Sequence, residues 1–397
     1  MQELTNFSHP IKTDSLHRLW FIQALRGISC LIVVYFHLGE TYWLAPKIIG
    51  DFLNYPPTEN YKVYHLFYIG KYRFNFGAFG VAMFFLISGF VMPFSLEKSN
   101  KLQFLVQRIF RIYPVLICSI TILCLLSFCY TNYYYIEFKY TLKQYLLNIS
   151  LLAPILNLAI IEPSSWTLAV EIIFYLVCAI FFSKTQITDS YRIIKISIFA
   201  WVIKVSFEIY YEFVLTSQPM SFIELIIHRI YLIYSKYLHL ITYMFIGTII
   251  YNYYKKNISL NSAILFSIIL FFKFILYLYI TELEYRISNI IIPYTAAVIS
   301  FLLAFYYSNK LPYKKWLNFF AEISYPLYLN HVILGYSLIN IFYRIFKEAY
   351  TALIITLIII IIVSYLIHLF IEKPFNKFGR LLGEKCNNPF KNSSLQD

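Results

Sequence analysis

Charge is what this chain has little of. Only 13% of its 397 residues are Asp, Glu, Lys or Arg, against 60% hydrophobic residues, and that is too little polar surface for a soluble domain of this length. An integral membrane protein is implied. Acidic residues are the scarcer sign, 20 against 33 Lys and Arg, and the resulting +13 is read as loop bias toward cytoplasm and anionic lipid. No nucleic-acid module is present in the pattern. Cysteine is scarce too: Cys30, Cys118, Cys124, Cys129 and Cys178 fall in or beside apolar stretches and Cys386 in a polar tail. Those positions offer neither metal-ligand spacing nor a disulfide framework. Repeats, low-complexity runs and linkers are absent, so the chain reads as one domain. Tyr and Phe, 38 each, are spread too evenly to mark a site.

What the chain has in quantity is apolar length. Ten stretches approach the roughly 20 residues needed to cross a bilayer, at about 19–39, 77–95, 112–130, 165–183, 193–215, 238–254, 259–280, 289–307, 318–343 and 350–371. The expected fold is all-α, a polytopic membrane protein with about ten transmembrane helices, residues 1–18 and 376–397 flanking a transmembrane domain of 19–375. Phe222 to Lys236 and Tyr140 to Leu158 read as interfacial or re-entrant segments. Counting Lys and Arg in alternate loops gives 18 on one side and 11 on the other, which places both termini in the cytoplasm. The first stretch is followed by His-Leu-Gly-Glu-Thr-Tyr-Trp rather than small residues, so it is expected to stay as a helix and not be cleaved.

Against that apolar background the polar residues stand out. Arg26 and His37 lie eleven residues apart in the first stretch, on one helix face and about 16 Å apart along the axis. A charge in hydrocarbon costs about 2.5 to 3.5 kcal/mol on insertion scales, so an aligned pair implies a cavity; the alternative is that Arg26 snorkels and His37 rests in the interface. Arg108 and Arg111 share a face at the cytoplasmic mouth of the third stretch, where two guanidinium forks suit phosphate or simply anchor the topology. Glu171 enters the fourth stretch at a depth comparable to His37 and could orient its imidazole, or pair with Lys204. Ser88-Gly89 suits close helix packing, the alternative being Ser88 as a nucleophile. Ser324, Tyr325, Asn330 and His331 sit mid-membrane in the ninth stretch beside Pro326, with His331 facing a cavity or a helix interface. Lys204, Glu208 and Glu212 form an i, i+4 row, either self-neutralising or ion-coupling, and Lys273 has no obvious partner.

Taken in order, Leu-Arg-Gly-Ile-Ser with His37 downstream, Phe-Phe-Leu-Ile-Ser-Gly-Phe, Arg-Ile-Phe-Arg-Ile-Tyr-Pro, Trp-Thr-Leu-Ala-Val-Glu-Ile-Ile-Phe-Tyr, Ile-Ser-Tyr-Pro-Leu-Tyr-Leu-Asn-His and Ile-Glu-Lys-Pro-Phe resemble the membrane acyltransferase 3 family from Leu25 to Phe375. The resemblance implies an O-acyltransferase of the plasma membrane, the inner membrane in a Gram-negative cell. It would move an acyl group, acetyl first, from cytoplasmic acetyl-CoA or another acyl-CoA to a hydroxyl of an extracytoplasmic carbohydrate or glycolipid such as O-antigen or exopolysaccharide. His37 and Glu171 would be catalytic, Arg26, Arg108 and Arg111 would bind the donor, and Ser324, Tyr325 and His331 the substrate, with no metal. Some relatives append an extracytoplasmic hydrolase-like domain. This chain ends soon after the tenth stretch, so it is expected to complete transfer alone, as a homo-oligomer, or with a separate partner. The competing reading is a multi-pass exporter of a glycolipid or small molecule, for which paired broken helices in two halves would be the mark.

Overall fold

The computed structural model describes residues 13–45, 49–50, 53, 74–133, 135–183, 185–210, 221–281 and 287–387. Among these residues every regular element is helical. Helix α1, Thr13–Val34, continues through a widened π turn, Tyr35–Thr41, and a last α-helical turn, Tyr42–Leu44. There follow α2 Phe76–Lys98, α3 Lys101–Tyr133, α4 Leu142–Ile149, α5 Ser165–Phe181 and α6 Ser190–Tyr210. Next come α7 Phe222–Tyr254, α8 Leu260–Thr281 and α9 Ile292–Tyr306. Helices α10 Lys315–Glu322, α11 Ser324–Asn330 and α12 Ile333–Phe346 make a broken rod. Helix α13, Ala349–Ile367, passes through another π turn, His368–Glu372, into α14, Lys373–Asn387.

Six helical stretches are long and apolar enough to cross a membrane, at 19–44, 76–98, 101–133, 260–278, 289–306 and 349–385, while α5 and α12 are apolar but shorter. Two expectations are corrected. The ninth stretch is not one helix: Pro326 has no N–H to give the Glu322 carbonyl, so α10 ends at Glu322 and α11 starts afresh with the proline in its first turn. Nor is 222–236 a separate segment. Glu224 forms a capping box with Ser221, its Oε2 accepting from Ser221 N at 2.7 Å, and from that cap α7 runs unbroken for 33 residues. The charge that suggests a break is the start signal.

The core is built around α2. Phe21 of α1, Phe90 of α2 and Phe301 of α9 meet edge to face, with ring centroids 5.7–5.8 Å apart. On its other side α2 approaches α7 backbone to backbone: a Cβ on Gly89 would lie 1.8 Å from the Met244 carbonyl oxygen, and one on Gly247 2.3 Å from that of Leu86. Thr248 Oγ1 donates to the Gly89 carbonyl at 2.9 Å across this seam. Ser88 therefore stands at a fixed depth and turns toward α5.

Candidate active site

A cavity of about 250 Å³ opens between α1, α2, α3, α5 and α11. Its polar lining includes Arg26, Ser88, Arg108, Arg111, Glu171 and Tyr325. Three guanidiniums face one carboxylate, so the net field inside is positive and selects an anionic ligand.

Each arginine is held differently. Arg26 Nη2 donates to Ser324 Oγ at 3.0 Å, and one turn further along α1 Cys30 Sγ donates to the Ser324 carbonyl at 3.5 Å. These bonds fasten α1 to the start of α11. Arg108 is buried; it donates through Nη2 to Ser95 Oγ and lies over the rings of Phe104 and Tyr175 at 5.2 and 5.0 Å. Its Nε, also buried, has no partner among the described residues. Arg111 makes no hydrogen bond or ion pair among the described residues and stands in the fields of Glu171, Glu372, Tyr175 and Tyr325. An orphaned guanidinium N–H costs desolvation energy that an incoming anion would recover.

Glu171 Oε1 accepts from Ser88 Oγ at 2.9 Å and from the Tyr175 hydroxyl. The juxtaposition with His37 inferred from depth is not made, and neither is the pairing with Lys204, which closes on Glu208 one turn away. Glu212 lies outside the described residues. Lys273 does find a partner, donating to Ser197 Oγ at 2.6 Å. Tyr325 lines the cavity with its hydroxyl tied to the Ile112 carbonyl at 2.6 Å.

His37 sits in the π turn of α1, partly accessible, and His331 sits fully buried in the break between α11 and α12. Widened turns of this kind recur at functional sites. His37 Nδ1 lies 3.0 Å from the Val33 carbonyl and 3.1 Å from His331 Nε2. Neither histidine lines the cavity itself. Tyr328 stands between: its ring lines the cavity, its hydroxyl meets Thr167 Oγ1 at 2.9 Å, and its carbonyl contacts His331 Nδ1 at 2.7 Å.

Sequence reasoning passes over four of the groups gathered here. Ser95 carries no local signal. Tyr175 stands one turn after Glu171, a spacing that could mark it. Tyr328 and Glu372 belong to the quoted motifs but take no role from them. Beyond these, Glu162 in the connection before α5 is fully buried, accepts from Ser164 N and Oγ at 3.2 and 2.9 Å, and leaves Oε2 without a partner among the described residues. Burial pushes its carboxyl up to about 8.

Fold and site together define a helical membrane protein built around a cationic, hydroxyl-lined cavity with a histidine pair behind one of its walls. The chain belongs to the acyltransferase 3 family: the family model described as Acyltransferase domain matches residues 19–379. It is similar to the protein named "Putative acetyltransferase ORF330" of Acidianus two-tailed virus, 24% identical over 314 residues that cover 79% of this chain and 82% of that one. No solved structure matches the chain.

Proposed function

We propose that this acyltransferase carries an acyl group, acetyl first, from cytoplasmic acyl-CoA to a hydroxyl of an extracytoplasmic carbohydrate. The observation that carries the reading is the set of three arginines on one cavity, two of them with unused donors. Phosphates of the donor meet Arg108 and Arg111 from the inner end, and its acyl-bearing arm extends between Arg26, Ser324 and Tyr325. His37 then takes the proton of the acceptor hydroxyl as oxygen attacks the thioester carbonyl; the C–S bond breaks, and the leaving thiolate receives that proton. In this arrangement Glu171 acts on the arginines and on Ser88, and so on the donor, rather than on His37. The Lys204–Glu208 pair, the feature an exporter would use, is closed on itself and gives that reading no support.

The test is chemical. Inside-out membrane vesicles given [¹⁴C]acetyl-CoA should place label in the glycan fraction, and mass spectrometry should find fewer O-acetyl groups on the surface glycan of cells lacking the gene. Equal acetylation with and without the gene, together with no acetyl-CoA consumption by purified protein, would remove the proposal. In the vesicle assay His37→Gln should bind acetyl-CoA normally and lose roughly 100- to 10,000-fold in turnover, the usual contribution of a positioned acid-base group.

A further inference from the structure

The hydrogen bonds around the two histidines fix where their protons lie. A carbonyl oxygen can only accept, so His331 Nδ1, 2.7 Å from the Tyr328 carbonyl, carries a hydrogen. As a neutral imidazole, His331 then has a lone pair on Nε2. His37 Nδ1 faces that lone pair at 3.1 Å and the Val33 carbonyl at 3.0 Å. Without a hydrogen on His37 Nδ1, the ring lone pair would point at the Val33 carbonyl oxygen. With one, both neighbours are satisfied by a shared bond. His37 Nε2 is left as the unprotonated nitrogen, and it has no hydrogen-bond partner among the described residues.

From this chain of bonds we infer that His331 is a positioning residue: its Nε2 holds His37 in the tautomer whose Nε2 is the base and supports the imidazolium formed during transfer. The inference rests on the proposed function and assigns to a neutral imidazole the place that a carboxylate takes in a Ser-His-Asp site. When His37 Nε2 takes the acceptor proton, His37 Nδ1–H becomes a charged donor to His331 Nε2, and such bonds are about twice as strong as neutral ones. His331 in turn is held by Tyr328, whose ring forms the cavity wall, so filling the cavity bears on the residue that aims the pair. Of the two readings of His331, cavity lining or a bond across a helix interface, the inference takes the second.

Side-chain length provides the test. In His331→Gln the amide oxygen stands near the former Nε2 and can accept from His37. In His331→Asn the amide reaches only the Nδ1 position and can bond Tyr328 but not His37. Wild type, both variants and His37→Gln are compared in inside-out vesicles supplied with [¹⁴C]acetyl-CoA, scoring kcat for label transfer and KM for acetyl-CoA on equal amounts of inserted protein. The expected pattern is a 10- to 100-fold fall in kcat for His331→Asn, recovery to within about threefold of wild type in His331→Gln, and a KM unchanged within about twofold in both. Equal kcat in the two variants, or a loss confined to KM, would overturn the inference, since packing alone does not distinguish the reach of the amide. Wild-type turnover in His37→Gln would instead strike the proposed function, by removing the base itself.

Discussion

An arginine inside a helical bundle persists only where something answers its charge, and here the answers are incomplete: Arg108 keeps Nε unbonded and Arg111 keeps its whole fork. Arg108→Ala with Arg111→Ala should therefore weaken acetyl-CoA binding, by about 1.5 to 3 kcal/mol for each charge-assisted hydrogen bond removed. Isothermal titration with detergent-solubilised protein would read this directly, and unchanged affinity in a well-folded double mutant would return the pair to topology anchors. These residues are legible in the sequence because intramembrane charge is costly enough to require a reason. Which carboxylate or imidazole each one meets is not legible there. Glu171 and His37 have matching depth, but depth fixes one coordinate only, and rotation about α5 turns Glu171 to Ser88 and Tyr175 instead. His331 reaches His37 through a break in its own helix, which periodicity treats as continuous.

That break belongs to the scale of the element. Pro326 in the sequence announces a disturbance, and its missing N–H accounts for the end of α10, yet the second interruption at His331 and Val332 follows no proline. There Asn330 turns its amide back to the Pro326 carbonyl at 2.7 Å and to Ser119 Oγ at 3.0 Å, taking up α11's C-terminal bonding. The Gly89 seam, by contrast, follows from Ser88-Gly89, because small residues are what allow helix backbones to approach. Its closeness sets a prediction. In Gly89→Ala the new methyl meets the Met244 carbonyl, a backbone atom that cannot step aside, whereas in Gly335→Ala it meets the Leu38 side chain at 2.6 Å, which can rotate. Gly89→Ala should cost about 1 to 3 kcal/mol, as overpacking does, and lower the melting temperature in detergent clearly more than Gly335→Ala. Equal tolerance would mean that α2 and α7 stand farther apart.

At the scale of the whole molecule, a set of ties gathers particular helix ends on one face. Trp20 Nε1 donates to the Pro312 carbonyl at 3.1 Å, Lys101 Nζ to the Ile180 carbonyl at 3.2 Å, and Arg192 Nη2 to the Phe181 carbonyl at 3.1 Å. Lys255 pairs with Glu97 at 3.6 Å, and Gly379 and Gly383 of α14 lie against Phe110 and Gln103 of α3. This end therefore joins the start of α1, the end of α2, the start of α3, the end of α5, the start of α6, the end of α7 and α14. The count of Lys and Arg would put this end in the cytoplasm, and Arg108 lies near it, within two turns of the start of α3. If the end is cytoplasmic, single cysteines replacing the exposed Asn257 and Asn309 in a cysteine-free background should react with a membrane-impermeant maleimide only from inside. Cysteines at the exposed Tyr135 and Lys347, in connections at the opposite end, should react only from outside. Labelling of Asn257 and Tyr135 from one face would break the alternation. Labelling with both pairs reversed would keep the bundle and turn the arginine cavity outward, away from acyl-CoA, so the proposed donor would have to be abandoned even though the fold stood.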